Sequence, residues 1–290
     1  MNSRTRHPAS NQPSPTLIQR GRSLLPAAIT RAASQQTHQI IGSLVDHDRT
    51  QHGYRAYAYF RWVDDQIDEA IPTRDERIAF VERQQAIVDR AYAGEETPDL
   101  RAEEQMAVAL IGADDGPGSG LHIYMQRMMA VMAFDAARRG RLISQAELDT
   151  YTRDLAVAVT EALHYFIGHD DPTPQVETRY HAVIAAHITH MLRDTCEDVA
   201  AGYYNIPREV LDAGDISPRD VHSAPYRAWV QSRVQQARDY FKAGRDYLTQ
   251  VRSARCRLAG HAYCVQFERE LDALERSAYF VRSDAKTERI

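Results

Sequence analysis

Apolar and polar positions along this chain recur with a helical period. Leu271, Leu274, Ala278 and Val281 repeat at steps of three and four, the spacing that lays one apolar stripe along a helix. Tyr57, Arg61, Asp64 and Asp68 follow the same rule, with Asp65 pointing elsewhere. So do His187, His190, Asp194 and Asp198, which fall within roughly 80° of one another on a helix advancing about 100° per residue. Glu197 lies round the side, towards solvent or an Arg. No series of alternating strand-like segments and no internal repeat is present. The pattern predicts an all-α fold.

Start and stop signals divide the helical pattern. "PTRDE" from Pro72 and "SQAE" from Ser144 each place a hydroxyl three residues before a Glu, the sequence form of a capping box. In "PREVLDAG", Pro207 suits a first helical position and Gly214 an end. "GADDGPGSG" from Gly112 is a loop, and its Asp114 and Asp115 read as solvated rather than catalytic.

Composition narrows the class. A chain of 290 residues, 43% hydrophobic and 26% charged, is long enough to bury a sizeable core. Its net charge of −5 offers no electrostatic footprint for nucleic acid. Cys196, Cys256 and Cys264 are an odd number without zinc-type spacing, which predicts reduced thiols in a cytoplasmic protein. No apolar run approaches the ~18 residues of a membrane span, although peripheral association with a membrane needs no such run. Before Asp46 the chain has no acidic residue, and its Arg- and Ser-containing start reads as a disordered tail over residues 1–16, ahead of a single domain over 17–290. Organelle transit peptides share that composition.

Two segments carry candidate chemistry. "YRAYAYFRWVDDQIDEA" from Tyr54 and "HITHMLRDTCEDVAAGYYNIP" from His187 each present Arg followed by Asp-x-x-x-Asp among apolar or aromatic residues. One such pair is ordinarily a solvated helix face. Two, if both helices line one bundle interior, bring four carboxylates to one cavity at a high cost without compensating ions. Oxygen ligands at that density suit Mg²⁺, which keeps waters and joins carboxylates to substrate phosphates. The expectation is therefore departure of a diphosphate, with Asp64, Asp68, Asp194 and Asp198 holding metal and Arg61 and Arg193 neutralising phosphate charge. Tyr57, Tyr59, Phe60, Trp62, Tyr151, Tyr165 and Phe166 are candidates to shape an apolar cavity and face a cation, each also an ordinary core residue.

These segments resemble the squalene/phytoene synthase family. "YAYFRWVDDQIDE" and "MLRDTCEDVAAGYYNIPREVL" are similar to its two aspartate-rich motifs, "LDTYTRDLAVAV" to the segment holding a family tyrosine at Tyr151, and "RCRLAGHAYCVQFERELDALERSAYFV" to its C-terminal helix. The similarity spans Ser34 to Val281. It implies an isoprenoid-synthase helical bundle with a central cavity, several Mg²⁺ ions, and two prenyl diphosphates condensed head-to-head through a cyclopropylcarbinyl diphosphate. Tyr57 and Tyr151 would then manage protons and cations. Where the family usually has Gln and Asn, this chain has His187 and His190, expected to line the cavity and to approach metal or diphosphate respectively. Thr37, in "SQQTH" from Ser34, is the surviving hydroxyl of a substrate-binding segment.

Other readings stay open. The same ionisation can feed a terpene cyclase or another acceptor, and His187, His190 and Asp194 can be read as ligands of iron or zinc in an oxygenase or hydrolase. A non-catalytic relative is a third. Use of NADPH is undecided, since no Gly-rich dinucleotide fingerprint is present and the family does not require one.

Overall fold

The computed structural model describes residues 26–168 and 175–281; the tail expected over residues 1–16 lies outside them. Among the described residues the regular structure is helical, without strands. Helical residues 26–33 (α1) lead into α2 (Gln35–Leu44), α3 (Thr50–Asp65), α4 (Arg74–Tyr92), α5 (Ala102–Ile111), α6 (Gly120–Arg138) and α7 (Gln145–Gly168). The second half holds α8 (His181–Arg193), α9 (Thr195–Ala201), α10 (Arg208–Gly214), α11 (Ala224–Leu248) and α12 (Ala254–Arg276).

The expected caps form. Thr73 Oγ1 accepts from the Glu76 amide at 3.3 Å. At the head of α7 the box is reciprocal: Ser144 Oγ accepts from the Glu147 amide at 3.2 Å, and Glu147 Oε2 accepts from the Ser144 amide at 2.8 Å. Pro207 sits one position earlier than expected, as the N-cap of α10. The stripe from Leu271 to Val281 is not one helix, because α12 stops at Arg276 and Ala278 adopts φ 52°. Leu271, Leu274 and Val281 are nonetheless buried. Asp114 and Asp115 are not simply solvated. Asp114 accepts from Tyr92 and Ser119 at 3.0 and 2.6 Å, and Asp115 pairs with Arg49 at 2.8 Å, so the two fasten their loop.

Helix α8 is the axis of the bundle. In HAVIAAHITHMLR every residue from Ala182 to Thr189, with Met191 and Leu192, is buried. A helix apolar nearly all round must be surrounded, and α8 packs against α7, α11 and α12. Its approach to α11 is close because residue 244 is Gly: a Cβ there would lie 2.7 Å from the Ala182 backbone nitrogen. One apolar core extends from Ile41 through α3, α6, α7 and α8 to Val281. At its C-terminal end α8 opens its surroundings to polar groups, at His190 and Arg193.

Candidate active site

Both aspartate motifs lie where a helix departs from regularity. The first runs off the end of α3 into a π-helical turn over Gln66–Ala70, closed by the Ile71 amide donating to Gln66 oxygen at 3.0 Å. Widening the helix re-aims Asp68 relative to Asp64. The second motif was expected on one continuous helix. Instead α8 ends at Arg193, Asp194 takes φ −90° and ψ 9°, and α9 begins at Thr195. The break follows from Thr195, whose hydroxyl donates to the carbonyls of Met191 and Leu192 at 2.9 and 3.0 Å, occupying the end of α8.

Gly202 then closes α9 in the left-handed region at φ 89°, a conformation that favours glycine, and turns the chain back. The return delivers Tyr203 to the first motif: its hydroxyl donates to Asp68 Oδ1 at 2.7 Å while its amide donates to the Asp198 carbonyl at 2.7 Å. A single residue thus spans the two motifs. The C-terminal end of α6 supplies a second bridge. Arg139 donates to the Ala201 carbonyl at 3.0 Å and to the Asp68 carbonyl at 3.2 Å. Arg138 donates to Asp135 Oδ1 at 2.6 Å and to Asn205 Oδ1 at 2.8 Å, and Asn205 Nδ2 donates to Asp198 Oδ2 at 2.8 Å. The largely enclosed Asp135 acts electrostatically on Asp64, Asp68 and Asp198 alike.

Asp68 and Asp198 are thus linked through Tyr203, while the other expected site residues form local pairings on their own side. Arg61 pairs with Asp64 at 3.3 Å and also with Asp65, which does not point elsewhere. Arg193 grips Asp194 with Nε and Nη2 at 2.6 and 2.9 Å and reaches Glu270 of α12 at 3.3 Å. His190 Nε2 lies 2.8 Å from Asp194 Oδ2. Tyr57 lies within electrostatic reach of Arg61 and Asp64, and the Thr37 side chain also acts on its phenol. Tyr151 donates to Asp135 Oδ2 at 3.1 Å. His187 meets the Tyr151 ring edge-on at 5.2 Å, and its buried Nε2 has no hydrogen-bond partner among the described residues. Tyr59, Phe60, Tyr165 and Phe166 are core residues.

Electrostatics divides the aspartates. Burial, together with Asp68, pushes the Asp64 carboxyl up to about 7. Burial and the neighbouring Asp194 do the same to Asp198, also to about 7. Asp194 differs: burial alone would raise it, yet the hydrogen bonds from Arg193 and His190 hold it well below the usual carboxylate range. Burial, then His190, Arg138 and Arg233, lowers His187 well below its ordinary value, so its imidazole is neutral.

Crowded carboxyls lifted by their neighbours are groups that a hard cation and its phosphate ligands would relieve, so these residues fit Mg²⁺. Among the described residues no three His, Cys, Asp or Glu side chains converge to hold an ion by themselves. That overturns the iron or zinc reading of His187, His190 and Asp194, because His187 faces Tyr151 while His190 is turned to Asp194. It also means that the aspartates stand as two pairs needing water and phosphate oxygens to complete a Mg²⁺ shell.

Four residues central to this arrangement went unassigned in the sequence: Asp135, Arg138, Tyr203 and Asn205. Asp135 did carry a signal, as the single acid of α6 in an otherwise apolar stretch, Met128 to Ala137, with Arg138 three residues on. Tyr203 and Asn205 lie in the second motif's tail, but only the turn at Gly202 shows where they go.

Comparison with known proteins agrees with the geometry. The chain matches the family model of squalene/phytoene synthases over residues 31–290. It is 28% identical over 176 residues to the presqualene diphosphate synthase of Zymomonas mobilis, a match covering 59% of this chain and 55% of that one. It is 27% identical over 172 residues to the presqualene diphosphate synthase of Sinorhizobium fredii, covering 58% and 57%. These matches thus span little more than half the length of the curated relatives. In fold the chain is similar to squalene synthase HpnC from Alicyclobacillus acidocaldarius, with a TM-score of 0.72 at 20% identity over 92% of this chain and 97% of that one. A dehydrosqualene synthase solved with a ligand gives 0.71 at 17% identity over 94% and 93%. With a helical bundle of that form, two Arg-linked aspartate pairs joined across it, and a family match over nearly its whole length, the chain belongs to the squalene/phytoene synthase family.

Proposed function

We propose that this protein is a Mg²⁺-dependent prenyltransferase that ionises allylic prenyl diphosphates and condenses two of them head-to-head, releasing diphosphate. The observation that carries the reading is the bridge from Asp68 through Tyr203 to Asp198, which joins two carboxylate pairs from opposite halves of the chain into one site. Asp64, Asp68, Asp194 and Asp198 would hold the metal. Bound there, Mg²⁺ supplies a Lewis acid that draws charge off the departing diphosphate.

The chain's own groups do the rest. Arg61 and Arg193, now pinned on aspartates, are placed to exchange part of that pairing for phosphate oxygens as substrate enters. Thr37 acts on the Tyr57 phenol beside Arg61 and Asp64. His190 orients Asp194, and the neutral His187 packs edge-on against Tyr151. No helix among the described residues is long and apolar enough to cross a membrane. The apolar substrates and product make peripheral contact with a bilayer part of the proposal.

The test is incubation with Mg²⁺ and prenyl diphosphates of several lengths, following both the ion released and the hydrocarbon formed. A coupled product supports the reading, whether a cyclopropylcarbinyl diphosphate with one diphosphate released or a hydrocarbon with two. Diphosphate release with a cyclised single-substrate product would reassign the chain to terpene cyclisation, and no release at all would remove the enzymatic reading.

A further inference from the structure

Asp135 and Arg138 have no assigned part in the coupling step, yet they stand beside the aspartates of the site. Their geometry bears on Tyr151. Around its ring lie the Arg138 guanidinium at 4.8 Å, Phe134 at 5.1 Å and His187 at 5.2 Å. Those neighbours already occupy part of the ring's surroundings. The hydroxyl is held as well.

That hydroxyl carries one proton, donated to Asp135 Oδ2 at 3.1 Å. A phenol has a single donor and two acceptor lone pairs. Once the donor is committed, the oxygen can act only as an acceptor towards whatever lies on its other side, where Tyr151 is within electrostatic reach of Asp64. Asp135 is itself fixed from behind: Arg138 donates to its other oxygen at 2.6 Å and is tied through Asn205 to Asp198. Arg138 is buried and Asp135 largely so, with 13% of its side chain exposed, which limits the access of water to the pair. Burial also raises Tyr151 well above the ordinary phenol value, which keeps it protonated.

The geometry points to Asp135 as a positioning residue that aims the Tyr151 oxygen lone pairs at the reacting carbons, steering the prenyl cation to its partner rather than to water. This rests on the prenyl coupling proposed above. Loss of the device should spoil the outcome of ionisation, because a cation without a directed dipole is captured by solvent.

The experiment uses the full chain with Mg²⁺ and whichever of farnesyl or geranylgeranyl diphosphate it turns over, measuring released diphosphate, coupled hydrocarbon and prenyl alcohol. In Asp135→Asn, whatever the change in total diphosphate release, hydrocarbon per diphosphate released is expected to fall by about tenfold or more while prenyl alcohol per diphosphate rises. Tyr151→Phe should behave alike, and the double variant no worse than either, because the two residues act as one unit. Asp135→Glu keeps a carboxylate for Arg138 but displaces the acceptor; it carries the same expectation should Asp135→Asn fail to fold. An unchanged partition between hydrocarbon and alcohol, or effects that multiply in the double variant, overturns the assignment. A parent chain that releases no diphosphate removes the coupling reaction and this role with it, whereas a working parent with an indifferent Asp135→Asn removes the role alone.

Discussion

Asp64 and Asp198 are the residues whose condition depends most on what the site holds. Each is pushed up to about 7, far above the ordinary carboxylate value near 4. Between those values the folded chain keeps protons that the unfolded chain has released, so stability falls as pH rises across that window. The expected outcome is a melting temperature in EDTA that declines from pH 5 to pH 8, a decline that Mg²⁺ reduces and that Asp64→Asn with Asp198→Asn flattens; a calorimetric series checks it. Catalysis should suffer in the same pair, with diphosphate release down by about a hundredfold or more because the carboxylates proposed to hold Mg²⁺ lose their charge. His190 acts at one remove. Its bond to Asp194 is the kind of outer contact whose loss costs about 10- to 100-fold in metal affinity, so His190→Ala should raise the Mg²⁺ concentration needed for half-maximal release by about tenfold. Residue types and spacing were enough to nominate Asp64, Asp68, Asp194 and Asp198, since carboxylates four apart beside an Arg are visible in one dimension. Asp135 was not nominated, because a lone acid in an apolar helix has meaning only through Tyr151 and Arg138, which reach it in space.

Helices decide how those residues are presented. The widened turn at 66–70 and the break at Asp194 are both local departures from the α-helix, and both place a carboxylate where an unbroken helix would not. Close packing of α8 keeps the second break in register. Gly244 lets α11 rest against the backbone of Ala182, which cannot retreat, whereas a Cβ at Gly260 would meet Leu248 side-chain atoms, the nearest at 2.5 Å, that can rotate away. Gly244→Ala is therefore expected to cost about 1 to 3 kcal/mol by overpacking, and Gly260→Ala clearly less; denaturant melts of the two variants compare them directly. Cap signals such as Ser144 and Glu147 were readable because a cap is made within four residues. The break at Asp194 was not, since its Arg, Asp and Thr fit a helix interior as well as an end.

Across the whole molecule, buried charge outside the site also sets stability. Glu104 has a fully buried side chain and binds Arg83, Gln84 and the Arg101 amide at 2.8 to 3.0 Å. Burial alone would raise its carboxyl, yet those bonds hold it below the ordinary value. Its contribution is present above the unfolded carboxylate range and is lost as pH falls through the lowered folded value. Glu104→Gln should weaken the acid side of the melting profile and cost about 1 to 2 kcal/mol near neutrality, because a carboxylate that accepts from Gln84, the Arg101 amide and the half-exposed Arg83 loses its charge. Helical periodicity, caps and the two aspartate motifs were written in the chain because each depends on neighbours within a turn or two, where covalent spacing alone fixes geometry. The joining of Asp68 to Asp198 through Tyr203, the clasp of Asp135 on Tyr151, and the turning of His187 away from His190 depend on chain segments that only packing brings together. Distances across a bundle follow from how apolar faces close on one another, and no local spacing encodes them.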